Sequence, residues 1–110
     1  MKTFGVGDVV REALLPLAKR IRAAFIYGSV AKLTDTTRSD IDLLVVSDTL
    51  GYLDLIRAPQ PAERRLERKI SPTLYSAAEL AKKRSGRSGF VTRVLKQPRI
   101  LLIGSDRDLG

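Results

Sequence analysis

Phe25–Asp48 reads FIYGSVAKLTDTTRSDIDLLVVSD, and this stretch decides the reading of the chain. An apolar segment, Ala23–Tyr27, runs into Gly28-Ser29. Ten residues later Asp40-Ile41-Asp42 opens a second apolar segment. Side chains alternate across a strand, so Asp40 and Asp42 share one face while Ile41 points to the other. Two carboxylates ~4 Å apart repel by ~4 kcal/mol at an effective dielectric of ~20. A divalent cation between them turns that repulsion into attraction. Glycine lets an anion approach the backbone, and a helix starting at Ser29 would aim free N–H groups at it. Each half has a bland alternative. A strand-start acid pair can be solvated or neutralised by Arg38 or Lys32, and Gly-Ser is common in strand-to-helix turns. Their joint occurrence on two strands joined by a short loop points to a polyphosphate resting on Gly28-Ser29, its bridging metal held by Asp40 and Asp42.

Outward from this stretch the chain alternates helices and strands. Asp8 is positioned to cap a helix over Val9–Ile21, which Pro16 should kink or split at a cost of ~3 kcal/mol. Gly5-x-Gly7 before it reads as a linker remnant covering residues 1–7. After the Ser29–Leu33 helix and a polar loop, Asp40–Ser47 is apolar on both faces beyond Asp42, the mark of a central strand. Leu50–Ile56 and Ala62–Glu67 read as short helices. Lys69–Tyr75 is a strand that Pro72 pushes to an edge. Ser76 followed three residues on by Glu79 is a capping box for a helix to about Arg84. Phe90–Lys96 reads as a short helix and Arg99–Ile103 as a last strand, closed by Gly104. The expected class is α/β (α+β): one mixed sheet flanked by helices, in a single domain of 110 residues.

Composition bounds the chemistry. There is no cysteine and no histidine. Thiolate sites, disulfides and the commonest general base are therefore excluded. Any metal must take oxygen ligands, which favours magnesium or manganese. No apolar run reaches the ~20 residues of a membrane span, and the N-terminus lacks a signal peptide's apolar stretch, so a cytoplasmic protein with no membrane contact is expected. The formal net charge of +8 resides entirely in residues 57–110. That half could dock nucleic acid or an acidic protein, or simply present solvated helix faces, since no aromatics interleave with its charges for base stacking.

The Gly-Ser, ten-residue, Asp-apolar-Asp pattern resembles the signature of the nucleotidyltransferase superfamily with the DNA polymerase β-like fold. Gly28, Ser29, Asp40 and Asp42 match it position by position, as do Ala31 and Ser39. The strong match covers Phe25–Asp48. A weaker one, through Ser71–Ser76, Phe90–Leu95 and Pro98–Gly104, resembles small bacterial members, some fused behind DNA-binding segments and others paired with a toxin. The resemblance implies a magnesium (or manganese) cofactor, a nucleoside triphosphate and transfer of a nucleoside monophosphate to a hydroxyl acceptor. It makes Asp40 and Asp42 the catalytic metal ligands. Gly28 and Ser29 become the phosphate cradle, with Lys32 and Arg38 within reach of the phosphates. A homodimer is compatible with it. Two departures stand out. Leu33 replaces a frequent glycine, and Arg68-Lys69-Ile70-Ser71-Pro72 carries no acid where active members place a third carboxylate; Glu67 is the nearest candidate. That loss opens two further readings: a nucleotide-sensing module of a DNA-binding regulator, or an antitoxin-like partner of a toxin.

Overall fold

The computed structural model describes residues 5–27, 40–85, 89, 92–94 and 99–104. The expected helix at 29–33, the loop 34–39 and most of 90–96 lie outside these.

The first helix, α1, spans Val6–Leu14. It starts earlier than the apolar spacing suggests. Asp8 is its third residue, not its cap, and Asp8 Oδ2 accepts from the Gly5 N–H at 3.3 Å. Val6 and Gly7 of the lead-in therefore belong to the helix. Gly7 is needed there, because a Cβ would sit 2.9 Å from Ile100 Cγ2 on a neighbouring strand. Pro16 acts as expected. The α-helix ends at Leu14 and the chain tightens into a 3-10 turn over Leu15–Arg20.

Four strands follow in the chain: β1 (Ala23–Tyr27), β2 (Ile41–Val46), β3 (Ile70–Tyr75) and β4 (Arg99–Ile103). They form one mixed sheet in the order β3-β2-β1-β4. β1 is antiparallel to both β2 and β4, whereas β2 and β3 are parallel. A parallel pair needs a crossover. Here α2 (Tyr52–Arg57) and α3 (Gln60–Leu66) supply it. Asp54, the third residue of α2, holds the helix start as Asp8 does in α1, its carboxylate accepting from the Gly51 N–H at 3.2 Å. β3 lies on an edge, where Pro72 leaves no interior donor missing.

α4 (Ala77–Ser85) then packs on the sheet. Its capping box is present: Ser76 N–H donates to Glu79 Oε1 at 3.0 Å and Glu79 N–H to Ser76 Oγ at 3.1 Å. Asp48 adds a second cap, accepting from Ala77 N–H at 2.9 Å. Residues 92–94 form a helical turn, and Gly104, at φ 84°, closes β4.

Two apolar layers sandwich the sheet. On one face Ile41, Leu43 and Val45 of β2 and Ala24 and Ile26 of β1 pack with Val10, Leu14, Leu55 and Ala62 from α1, α2 and α3. On the other, Leu44, Val46, Phe25 and Ala23 pack with Leu80 and Val94. β2 is paired on both sides and covered on both faces, as a central strand must be. Among the described residues, no helix is long and apolar enough to cross a membrane.

Candidate functional site

Asp42 interrupts the burial of β2. Every other residue of that strand is buried, while Asp42 is partly exposed and Asp40, one residue before the strand, is exposed. Both lie at the same end of the sheet, and the register puts Asp42 across from Tyr27 on β1 and Ser71 on β3. Partial burial raises the Asp42 carboxyl above its ordinary range, and the negative charge of Asp40 raises it further. Among the described residues, no basic side chain pairs with either carboxylate. The repulsion inferred from the spacing is therefore present, and no cation among the described residues offsets it. An oxygen-only donor pair of this kind suits a divalent cation of the magnesium type, which would remove the penalty directly.

Among the described residues, hydroxyls stand beside the pair. Ser71 Oγ donates to Asp40 Oδ2 at 3.3 Å. The Tyr27 phenol hydrogen-bonds the Thr73 side chain across β2. Burial raises the Tyr27 pKa, the Thr73 bond opposes that shift, and Asp42 reinforces it. No group of three acids or metal-binding side chains occurs among the described residues. Ser71 stands on β3 where a third acid would face the pair, as the register with Asp42 requires. Glu67 does not substitute. It ends α3 in a left-handed conformation (φ 54°), exposed, beside an open notch lined by Arg64, Arg68 and Lys69. Glu63 is occupied as well, accepting from the Ile70 N–H at 2.9 Å.

Of the residues singled out from sequence, Asp40 and Asp42 are brought together as expected. Gly28, Ser29, Lys32 and Arg38 lie outside the described residues. Asp48 and Asp54 hold the starts of α4 and α2, accepting from the Ala77 and Gly51 N–H groups. Arg99 was not singled out. It pairs with Tyr27 in the sheet, and its guanidinium carbon lies 6.0 Å over the Phe25 ring, on the Asp42 face. A row therefore crosses all four strands at this end: Ser71, Asp42, Tyr27, Arg99. The sequence holds one signal for it, a basic residue at the mouth of an otherwise apolar strand. That signal says nothing until the strand order is known. A groove of about 440 Å³, with an apolar floor of Val9, Ala13, Leu17, Ala58 and Ala62 and Glu12, Arg57 and Arg65 also in its lining, belongs to the opposite face of the sheet, away from the carboxylates.

A family profile described as "Polymerase beta, Nucleotidyltransferase" matches residues 12–107. No curated protein matches the chain significantly. Solved structures do resemble its fold. One is a toxin-antitoxin with AMP-PNP (TM-score 0.64, 21% identity, 94% of this chain and 77% of that one). Another is a mutant of the toxin-antitoxin MntA-HpeT (TM-score 0.66, 16% identity, 93% and 76%). A third is a tri-AMPylated Shewanella oneidensis HEPN toxin in complex with MNT antitoxin (TM-score 0.61, 18% identity, 94% and 73%). At these identities the structures speak for the fold alone. The profile match runs through nearly the whole sheet that carries Asp40 and Asp42 at its end, and this chain belongs to the polymerase beta nucleotidyltransferase family.

Proposed function

We propose that this chain is the antitoxin-like nucleotidyltransferase of a two-protein pair, moving a nucleoside monophosphate onto a hydroxyl of a HEPN-type toxin partner. The observation that carries the reading is the mutually repelling Asp40–Asp42 pair at the end of a polymerase β-like sheet. Structures of similar fold that contain AMP-PNP or an AMPylated toxin support the choice of donor and acceptor.

Asp40 and Asp42 hold the metal in this proposal. A divalent ion bound there would draw charge from the phosphates as the bond to pyrophosphate breaks. Gly28 and Ser29 cradle the phosphate tail, with Lys32 and Arg38 as further anion contacts, on the strength of the sequence pattern. Ser71 holds Asp40 in place through its hydroxyl but cannot take a proton from an acceptor as a carboxylate would. Transfer is accordingly slow, by a factor on the order of 10²–10⁴ if the missing acid acts as a general base.

The test is incubation of the chain with labelled nucleoside triphosphates, magnesium and a candidate partner toxin. Asp40→Asn/Asp42→Asn should abolish labelling, and Ser71→Asp should raise it by on the order of 10²-fold. Equal labelling by wild type and the double variant would remove catalysis from this site. The absence of a third acid among the described residues also favours a second reading, in which the chain binds nucleotide as a sensor and transfers nothing. Tight nucleotide binding by wild type with no labelled acceptor, restored to activity by Ser71→Asp, selects that reading.

A further inference from the structure

We infer that the groove between α1 and the α2–α3 pair docks an amphipathic helix of a partner protein, one with acidic residues beside its apolar stripe. The inference goes beyond the proposed function. It uses the face of the sheet opposite Asp40 and Asp42 and needs no nucleotide, so either can fail without the other. Three observations converge on it. The first is shape. One wall is a stripe at helical spacing, Val9, Ala13 and Leu17, running from α1 into the 3-10 turn over about 12 Å. The other is Ala58 and Ala62, at the α2–α3 junction and in α3. Alanines on both walls keep the trough between them open. The second observation is what surrounds it. Among the described residues the exposed large hydrophobics are Leu15, Tyr52, Leu53 and Ile56. All four belong to elements that build the groove, and Leu15 and Ile56 adjoin the lining residues Pro16 and Arg57. Scattered exposed apolars need no explanation, but a set confined to the elements around one apolar trough marks a contact surface.

The third observation is charge. Glu12 and Arg65 join the two walls as an ion pair at 3.4 Å, which leaves Arg57 as the unbalanced charge of the lining. Arg57 is exposed, and its side chain makes no ion pair or hydrogen bond among the described residues. The net charge of +8 disfavours a second copy as occupant and favours an acidic one. A helix suits the dimensions. Its apolar side chains at i, i+3 or i+4, and i+7 span ~10 Å, close to the length of the Val9–Leu17 stripe, and a carboxylate beside that row would meet Arg57. A small apolar anion would fill the trough but leave Leu15, Leu53 and Ile56 in water. A helix ~10 Å across extends onto the lips and covers them.

The probe is a displayed library of helical peptides about four turns long, ~14 residues, with leucine at i, i+4 and i+7 and Ala, Gln, Glu or Lys elsewhere. It is selected against the full chain. Enriched peptides are then titrated into wild type, Ala13→Glu and Arg57→Glu, with a thermal melt of each. Acidic peptides should be enriched. Ala13→Glu, which blocks the trough, should weaken them by more than about tenfold, as should changing their leucines to alanine. Arg57→Glu should weaken them by about tenfold and shift preference towards lysine-bearing peptides. No enrichment, or enrichment of basic peptides, overturns the inference. So does binding that survives Ala13→Glu or the loss of the leucines, which would be charge attraction elsewhere on a basic chain. Decanoate binding in the groove without peptide enrichment assigns it to a small ligand and overturns the inference. Self-association in sedimentation that Ala13→Glu removes, again without enrichment, assigns it to a second copy with the same consequence. If Ala13→Glu fails to melt cooperatively, the exposed Arg57→Glu variant carries the comparison.

Discussion

Asp42 is the residue at which stability and the proposed function pull in opposite directions. Its carboxyl is raised by burial first and by Asp40 second, so the fold favours the protonated form. The sign follows from linkage. A carboxyl whose pKa is higher folded than unfolded costs stability once pH exceeds the unfolded value, and the cost reaches its full size above the folded one. Asp42→Asn removes the charge and should therefore raise the melting temperature at neutral pH. The gain should vanish as pH falls below the ordinary carboxylate range, where wild type is protonated in both states. Melts at pH 7 and pH 3 check this, and an asparagine variant less stable than wild type at pH 7 would contradict it. Magnesium should narrow the gap by stabilising wild type alone. Asp40 and its spacing from Asp42 were legible in the chain because alternation along a strand needs no tertiary information. The places of Ser71 and Arg99 were not, since each acquires its neighbours only through strand pairing.

At the scale of elements, boundaries follow local chemistry where a cap is present and drift where it is not. Ser76 and Glu79 place the start of α4 from sequence, and the structure keeps it there. α1 begins earlier than expected because its N-cap is Gly5, which has no side chain to mark it, while Asp8, a capping residue type, stands at the third helical position instead. α3 ends on Glu67 at φ 54°, a conformation that costs a non-glycine residue ~1 kcal/mol. Glu67→Gly should relieve that strain and stabilise the protein by up to ~1 kcal/mol, less the extra freedom glycine has when unfolded. Urea denaturation measures it, and a loss of stability would show that the Glu67 side chain makes a contribution the fold depends on. The same variant should label a partner as well as wild type does, since Glu67 lies outside the carboxylate corner.

Across the whole molecule, the central strand carries both the core and the site. Leu44 is fully buried two residues from Asp42, on the same face. Leu44→Ala should cost about 2–5 kcal/mol, a large share of the ~5–15 kcal/mol that holds a domain of this size together. It should also loosen the carboxylate corner, visible as weaker Mg·ATP binding at temperatures where the variant remains folded. A loss under ~1 kcal/mol would mean that the layer between β2 and α4 repacks freely. The sequence by itself determined the alternation of elements, the break at Pro16, the central place of β2 and the acid pair, because each rests on short-range sterics, capping or periodicity. Only the tertiary structure decided the order β3-β2-β1-β4. With that order came a hydroxyl at Ser71 facing the carboxylates, Glu67 set apart from them, and Arg99 on the row with Tyr27. Those relations join residues tens of positions apart, and strand pairing, which no local pattern encodes, selects them.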